Sequence, residues 1–363
     1  MLNSTLYARH KKFEEMFGQI ESYTKITNVP LKFILFASPV NAYDYFDKES
    51  SEEFRIEKQY FNNGFYIGKL FREYGRKEKK EIEGRFLLFK HDKNDIYIIL
   101  THEETSFFEH GLFRYIKSKY PTFTMPFFYS WEMEEMLNGL AKTNPIYDIR
   151  LTRFSRKTRI ESETSRKKKE SDLTWTDLPY KEIFNQTRQS DAWIEKLSFD
   201  LIARKSDTNK PRILSGFISR EGIFRCEKEF NLFYEVVVEK AIDIFFRRKK
   251  QLSNRMRKKE ANYESKPFFI EFDEPIFKDR KQNSRFITLL RNLPHLAYST
   301  VHTNPYLHMT VVDYIDNSNY EIWILSEKRI TIAPQAVCSM SALNRLCDYI
   351  SREFKEGIIR DFR

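Results

Sequence analysis

Glycine is scarce in this chain, and its distribution removes several large fold classes from consideration. The 363 residues include ten glycines, where average usage of roughly 7% would give about 25. No two glycines are separated by a single residue, and the nearest pair is Gly64 and Gly68. Dinucleotide-binding folds, P-loop NTPases and protein kinases need closely spaced glycines, because their backbone approaches phosphate without an intervening Cβ. The sequence therefore argues against these classes, and the lack of a G-x-S-x-G elbow argues against the usual α/β-hydrolase.

The hydrophobic pattern predicts an α+β protein with two domains of mixed, largely antiparallel sheets packed with helices. Hydrophobic residues make up 41% of the chain and charged residues 31%, which is typical of a globular protein. We expect an N-terminal α+β domain over residues 1–154 and a basic polar linker over residues 155–190. A C-terminal α+β domain is expected over residues 191–363, with a long basic helix over residues 230–259.

The cysteine content and the hydropathy favour a cytoplasmic protein. The three cysteines are Cys226, Cys338 and Cys347. Their number is odd, and their spacing fits neither a disulfide framework nor a zinc knuckle, which favours a reducing compartment. No apolar stretch is long enough and sufficiently free of charge to span a bilayer. We therefore expect no membrane association, no metal and no cofactor.

Basic residues outnumber acidic ones by 62 to 52, which gives a net charge of +10 and an isoelectric point near 9.2. This balance is typical of a nucleic-acid-binding protein when the charge is clustered. Between Asp243 and Glu260 the sequence has no acidic residue. On the predicted helix, the candidate phosphate-binding residues are Arg247, Arg248, Lys250, Arg255, Arg257, Lys258 and Lys259. The alternative is a solvated helix end whose positive charges favour the negative C-terminal dipole.

A second basic cluster falls in the predicted linker. Arg166, Lys167, Lys168 and Lys169 follow one another directly, although Glu161, Glu163 and Glu170 dilute the run. Together with the helix it predicts a positive groove for DNA or RNA. The alternative is an ordinary basic linker without a binding role.

The best catalytic candidates in the sequence are His302, His308, Asp313 and Glu321. Two histidines and an aspartate can bind a metal or transfer protons, but their separation is not a recognised ligand spacing. Asp313 and Glu321 stand on predicted neighbouring strands, as in a metal-dependent nuclease of the PD-(D/E)xK type. The lysine required by that motif is missing, because Ile322 and Trp323 follow Glu321. The sequence therefore assigns no catalytic residue.

These observations favour a nucleic-acid-binding accessory protein without catalysis of its own. The alternatives are a metal-dependent nuclease with a degenerate site, and an interaction scaffold that docks on an acidic protein partner. A glycine-poor composition rich in Lys, Phe and Ile, without a metabolic motif, suits a subunit of a prokaryotic antiviral defence or mobile-element system. The sequence alone does not distinguish DNA from RNA.

Overall fold

The computed structural model confirms the α+β class and divides the chain into two compact units. It describes residues 7, 12–27, 29–62, 64–75, 79–93, 95–159, 170–173, 179–204, 211–253, 255, 265–303 and 306–362. Unit 1 comprises Met1–Thr158 and Lys169–Ile244, and unit 2 comprises Arg159–Lys168 and Phe245–Arg363. Among the described residues, no helix combines the length and the apolar character needed to cross a membrane.

Unit 1 contains ten strands in one antiparallel sheet. The strands are β1 (Leu31–Ala37), β2 (Phe54–Asn62), β3 (Phe65–Tyr74), β4 (Lys80–Lys90), β5 (Ile96–Thr101), β6 (Tyr147–Thr158), β7 (Glu170–Leu173), β8 (Ala192–Ala203), β9 (Arg212–Ser219) and β10 (Ile223–Glu227). Their order in the sheet is β2-β3-β4-β5-β1-β10-β9-β8-β6-β7.

The helices of unit 1 cover both faces of this sheet. They are α1 (Phe13–Thr27), α2 (Ala42–Asp47), a π-helix (Phe107–Leu112) that continues into α3 (Phe113–Ser118), α4 (Ser130–Thr143), α5 (Tyr180–Gln189), α6 (Phe230–Phe233) and a π-helix (Tyr234–Val238) that continues into α7 (Glu239–Leu252). Ile34 and Phe36 of β1 pack with α2 and the segment before α3 in one aromatic-rich cluster. Phe33 points to the other face and stacks on Phe230, with ring centroids 5.8 Å apart. Every residue of β1 is therefore buried, as expected for a central strand between two helical layers.

Unit 2 contains a six-stranded antiparallel sheet. The strands are β11 (Phe268–Glu271), β12 (Leu296–His302), β13 (Leu307–Asp313), β14 (Ser318–Ser326), β15 (Arg329–Pro334) and β16 (Ile358–Asp361), and the helices are α8 (Arg280–Arg291) and α9 (Met340–Glu353). The strand order is β12-β13-β14-β15-β11-β16. The two helices contact each other through the Tyr349 hydroxyl, which donates to the Leu289 carbonyl at 2.7 Å. The Phe286 and Phe354 rings add an edge-to-face contact at 5.4 Å.

The two units share a topology. In unit 1, β1 leads through α2 into the meander β2–β5, and β1 pairs antiparallel with β5. In unit 2, β11 leads through α8 into the meander β12–β15, and β11 pairs antiparallel with β15. In both units a helical segment follows the meander.

The compact units do not coincide with the predicted domain boundaries. Strands β8–β10, which were expected in the C-terminal domain, join the sheet of unit 1 because β10 pairs with β1, with Phe33 opposite Phe224. The predicted linker over residues 155–190 contains the end of β6 and all of α5. Local composition predicts a loop over residues 155–190. It carries no information about the pairing of β1 with β10, whose residues lie nearly 200 positions apart in the sequence.

The helical region predicted over residues 230–259 is shorter and less regular than expected. It contains α6, the π-helix and α7, and α7 ends at Leu252. The division between the two units falls within α7, between Ile244 and Phe245. Arg255 lies outside the helix, and residues 256–260 lie outside the described part of the chain.

All three thiols are buried in the folded protein. Cys226, Cys338 and Cys347 are each at most 3% exposed. Burial raises the pKa of Cys338 and of Cys347 to about 12, and raises the pKa of Cys226 well above its ordinary value. Because the thiolate is the reactive form, we expect an aromatic disulfide reagent at pH 8 to label none of them rapidly in the folded protein. Three thiols per chain should react in guanidinium. Rapid stoichiometric labelling without denaturant would contradict this burial.

Candidate nucleic-acid interface

The excess positive charge of the chain is concentrated in unit 2. Unit 1 contains 37 basic and 36 acidic residues, so its net charge is +1. Unit 2 contains 25 basic and 16 acidic residues, so its net charge is +9 although it is the smaller unit. A uniformly Lys-rich composition would spread the charge over both units. The observed segregation gives unit 2 the field that attracts polyanions.

The basic residues predicted on the long helix fall into three groups. Arg247 and Lys250 are exposed. Arg248 and Arg255 are only 5% and 8% exposed, so they cannot present their charge to a phosphate backbone. Arg257, Lys258 and Lys259 lie outside the described residues, as do Arg166, Lys167, Lys168 and Lys169.

Arg255 has a structural role in unit 2. Its Nη1 donates to the carbonyls of Lys266 and Pro267 at 3.2 and 3.3 Å. Its Nη2 pairs with the Asp361 carboxylate, and its guanidinium lies 5.4 Å from the centre of the Phe268 ring. One side chain thus connects the chain after α7 to the start of β11 and to β16.

Helix α8 presents a basic stripe that the sequence analysis missed. Its exposed residues are Arg280, Lys281, Ser284, Thr288 and Arg291, which recur at intervals of three and four and therefore lie on one side of the helix. Arg, Lys, Ser and Thr are among the side-chain types that donate hydrogen bonds to phosphate oxygens. The helix contains no acidic residue. Its 12 residues give a stripe about 18 Å long. We call this set of five residues the α8 stripe.

The two basic residues in the first turn of α8 do not serve helix stability. Arg280 and Lys281 stand at the positive end of the helix dipole, where cations are unfavourable by roughly 0.3–1 kcal/mol. Lys249 and Lys250, in contrast, are in the last turn of α7, where the same dipole stabilises them. Stabilisation by the helix dipole therefore explains the basic residues at the end of α7, but it does not explain those at the start of α8.

Three of the four catalytic candidates meet on one face of the unit 2 sheet. His302 and His308 are opposite each other on β12 and β13, so their side chains share a face. The Nε2 atom of His308 lies 3.2 Å from Oε2 of Glu321 on β14. The ring of Trp323 stands nearly perpendicular to that of His308, with centroids 5.6 Å apart.

Asp313 points to the opposite face. Its Oδ2 accepts hydrogen bonds from Nε of Arg345, at 3.1 Å, and from Nη2 of the same residue on α9. The Asp313 residue is 1% exposed. Asp313 and Glu321 therefore cannot hold one metal ion between them, and the nuclease arrangement considered from the sequence is not formed. Within the described ranges, no group of three His, Cys, Asp or Glu side chains is placed to bind a metal.

The chain matches no protein-family model, and no curated protein matches it. The site must therefore be interpreted from its own chemistry.

A signal for α8 was present in the sequence: Asp279 accepts from the Gln282 amide as an N-cap, and Phe286 and Leu290 follow at helical spacing.

Proposed function

We propose that this protein binds nucleic acid, and that unit 2 contacts the phosphate backbone. The observation that carries the proposal is the segregation of charge, +9 in unit 2 against +1 in unit 1. Each basic side chain that neutralises a phosphate releases a condensed counterion, which makes such binding strongly dependent on salt. The α8 stripe supplies suitable donors on one side of a helix.

The proposed role is that of an accessory subunit without its own catalysis. Of the carboxylates considered for metal binding, Asp313 is occupied by Arg345 and faces away from Glu321. Three free, buried cysteines suit a reducing compartment such as the cytoplasm. Membership of a prokaryotic antiviral defence or mobile-element complex remains a proposal that rests on composition.

The first test removes the charge in the first turn of α8. We expect Arg280→Gln combined with Lys281→Gln to weaken binding to labelled DNA or RNA to a similar extent for every sequence. The slope of log K against log salt should become shallower by about 2, which corresponds to two lost phosphate contacts. The free energy of unfolding should stay the same or rise slightly, because two unfavourable dipole interactions are removed.

A matched control replaces two exposed basic residues on helices of unit 1, Arg114 on α3 and Lys181 on α5, with glutamine. This variant should bind with the wild-type salt slope. Equal slopes for all three proteins would count against the α8 stripe. If the wild-type chain failed to bind any nucleic acid at 50 mM salt, the proposed function would be wrong, and the scaffold that docks on an acidic protein would become the leading interpretation.

A further inference from the structure

The sheet of unit 2 has one face that neither α8 nor α9 covers. Strands β13 and β14 alternate between buried and half-buried residues. The buried set, which includes Asp313, faces α9, as the bond to Arg345 shows. The other set is half-exposed and includes His308, Glu321 and Trp323. We call this second side the open face.

Strand register places six residues of the open face in one row across the whole sheet. Each residue is the direct cross-strand partner of the next, and with strands about 4.8 Å apart the row is about 24 Å long. The row consists of His302, His308, Trp323, Thr331, Phe269 and Arg360. Four of the six are rings. The three rings at the β12 end are exposed or half-exposed, whereas Thr331 and Phe269 are only 8% and 9% exposed.

The charges on the open face are suited to binding a polyanion whose units carry aromatic groups. Arg329 lies over the Phe269 ring, 4.5 Å from its centre, and both Arg329 and Arg360 are about half exposed. Their hydrogen bonds to Glu271 hold the pKa of that carboxyl below its ordinary value, with Arg329 the larger cause. Glu321, the other carboxylate on this face, is held by His308. The charge of Glu271 is thus offset by two arginines, within a unit whose net charge is +9.

We infer that the open face binds single-stranded nucleic acid, with unpaired bases stacked on His302, His308 and Trp323 and phosphates near Arg329 and Arg360. Aromatic and imidazole rings on a sheet face stack on unpaired bases, whereas the bases of a duplex are already stacked and present no free ring surface. The inference names a polymer class for the proposed function and rests on it, but it uses a different surface from the α8 stripe. The two surfaces can therefore be tested separately.

The test measures binding of the full-length protein to fluorescein-labelled 15-nucleotide oligo(U) and oligo(dT), and to a 15-base-pair duplex. Trp323→Ala should weaken single-strand binding roughly 5- to 150-fold, the range expected for loss of one stacked base. Duplex binding and the salt slope should stay within about twofold of wild type. A weaker complex with oligo(U), with oligo(dT) or with both supports the inference and shows which sugar the site accepts.

Two further variants make this result specific. Trp323→Phe keeps a ring and should retain single-strand affinity within about threefold, while the quenching of tryptophan fluorescence on binding decreases. Thr310→Ala changes a neighbouring open-face position outside the row and should bind like the wild type. If Trp323→Ala is folded and binds single strands as tightly as wild type, or loses duplex binding equally, the stacking site is wrong. The proposed function then still stands, provided that the α8 double variant shows its shallower salt slope.

Discussion

Replacing Asp313 with alanine is expected to lower the free energy of unfolding of unit 2 by about 3–5 kcal/mol, the usual cost of removing one partner from a buried ion pair. The Asp313 side chain is 1% exposed and that of Arg345 is 16% exposed, so the substitution leaves a guanidinium with little water and without its main carboxylate partner. The Asp316 carboxylate, 4.0 Å from Nη2 of Arg345, is more distant. The second oxygen of Asp313 also accepts from the Ile315 amide at 3.1 Å. The variant therefore removes a contact that connects the end of β13 to α9.

The loss should be followed by denaturant titration, with thiol labelling as the readout. Cys338 and Cys347 are in unit 2 and Cys226 is in unit 1, so mass spectrometry of the labelled sites reports each unit separately. This matters because a protein with two units need not unfold in one step. We expect labelling of Cys338 and Cys347 to move to a lower guanidinium concentration.

Two comparisons make the Asp313 prediction specific. The double variant Asp313→Ala with Arg345→Met should recover part of the stability, because the guanidinium that lost its main partner is removed as well. Asp273→Ala, at an exposed position of unit 2, should stay within about 0.5 kcal/mol of wild type. A loss below about 1 kcal/mol for Asp313→Ala would contradict the prediction and show that Asp316 or water compensates the Arg345 guanidinium.

The second large effect concerns Arg255 and Lys250, which the sequence placed in one basic cluster. We expect Arg255 to contribute to stability and Lys250 to nucleic-acid binding. Arg255→Ala should cost about 1.5–3 kcal/mol of unfolding free energy, as expected for lost hydrogen bonds to a charged group. Lys250→Gln should cost less than about 0.5 kcal/mol, because Lys250 is exposed. The same titration of Cys338 and Cys347 measures both.

Nucleic-acid binding should respond to these two substitutions in the reverse order. With the variant kept well below its unfolding transition, Arg255→Ala should keep the wild-type salt slope, because its guanidinium is 8% exposed and satisfied within unit 2. Lys250→Gln should make the slope shallower by about 1, which corresponds to one lost phosphate contact. A normal stability and a shallower slope for Arg255→Ala would return that residue to the interface predicted from sequence.

Much of the fold class could be predicted from local patterns. Alternating burial along β13 and β14 and the apolar spacing of α9 follow directly from residue order. Only part of the candidate site could be predicted from the sequence. The sequence named His302, His308 and Glu321 only as separate candidates, and it is the strand register that brings the three side chains together. Helix α8 was missed, although Asp279 marks its start.

The sequence by itself determined the periodicity of the elements, the excess of positive charge and the absence of glycine-rich phosphate loops, because each depends on residues close together in the chain or on simple counts. Only the tertiary structure decided which basic side chains are exposed to solvent and can contact a ligand. Arg255 is buried because β11 and β16 approach it from distant positions, whereas Arg280 remains exposed on α8. Long-range pairing of β11 with β15 and β16 likewise decided that Phe269 and Arg360 extend the row that the consecutive strands β12–β15 begin. Such pairings depend on the register of strands far apart in sequence, which no local pattern encodes.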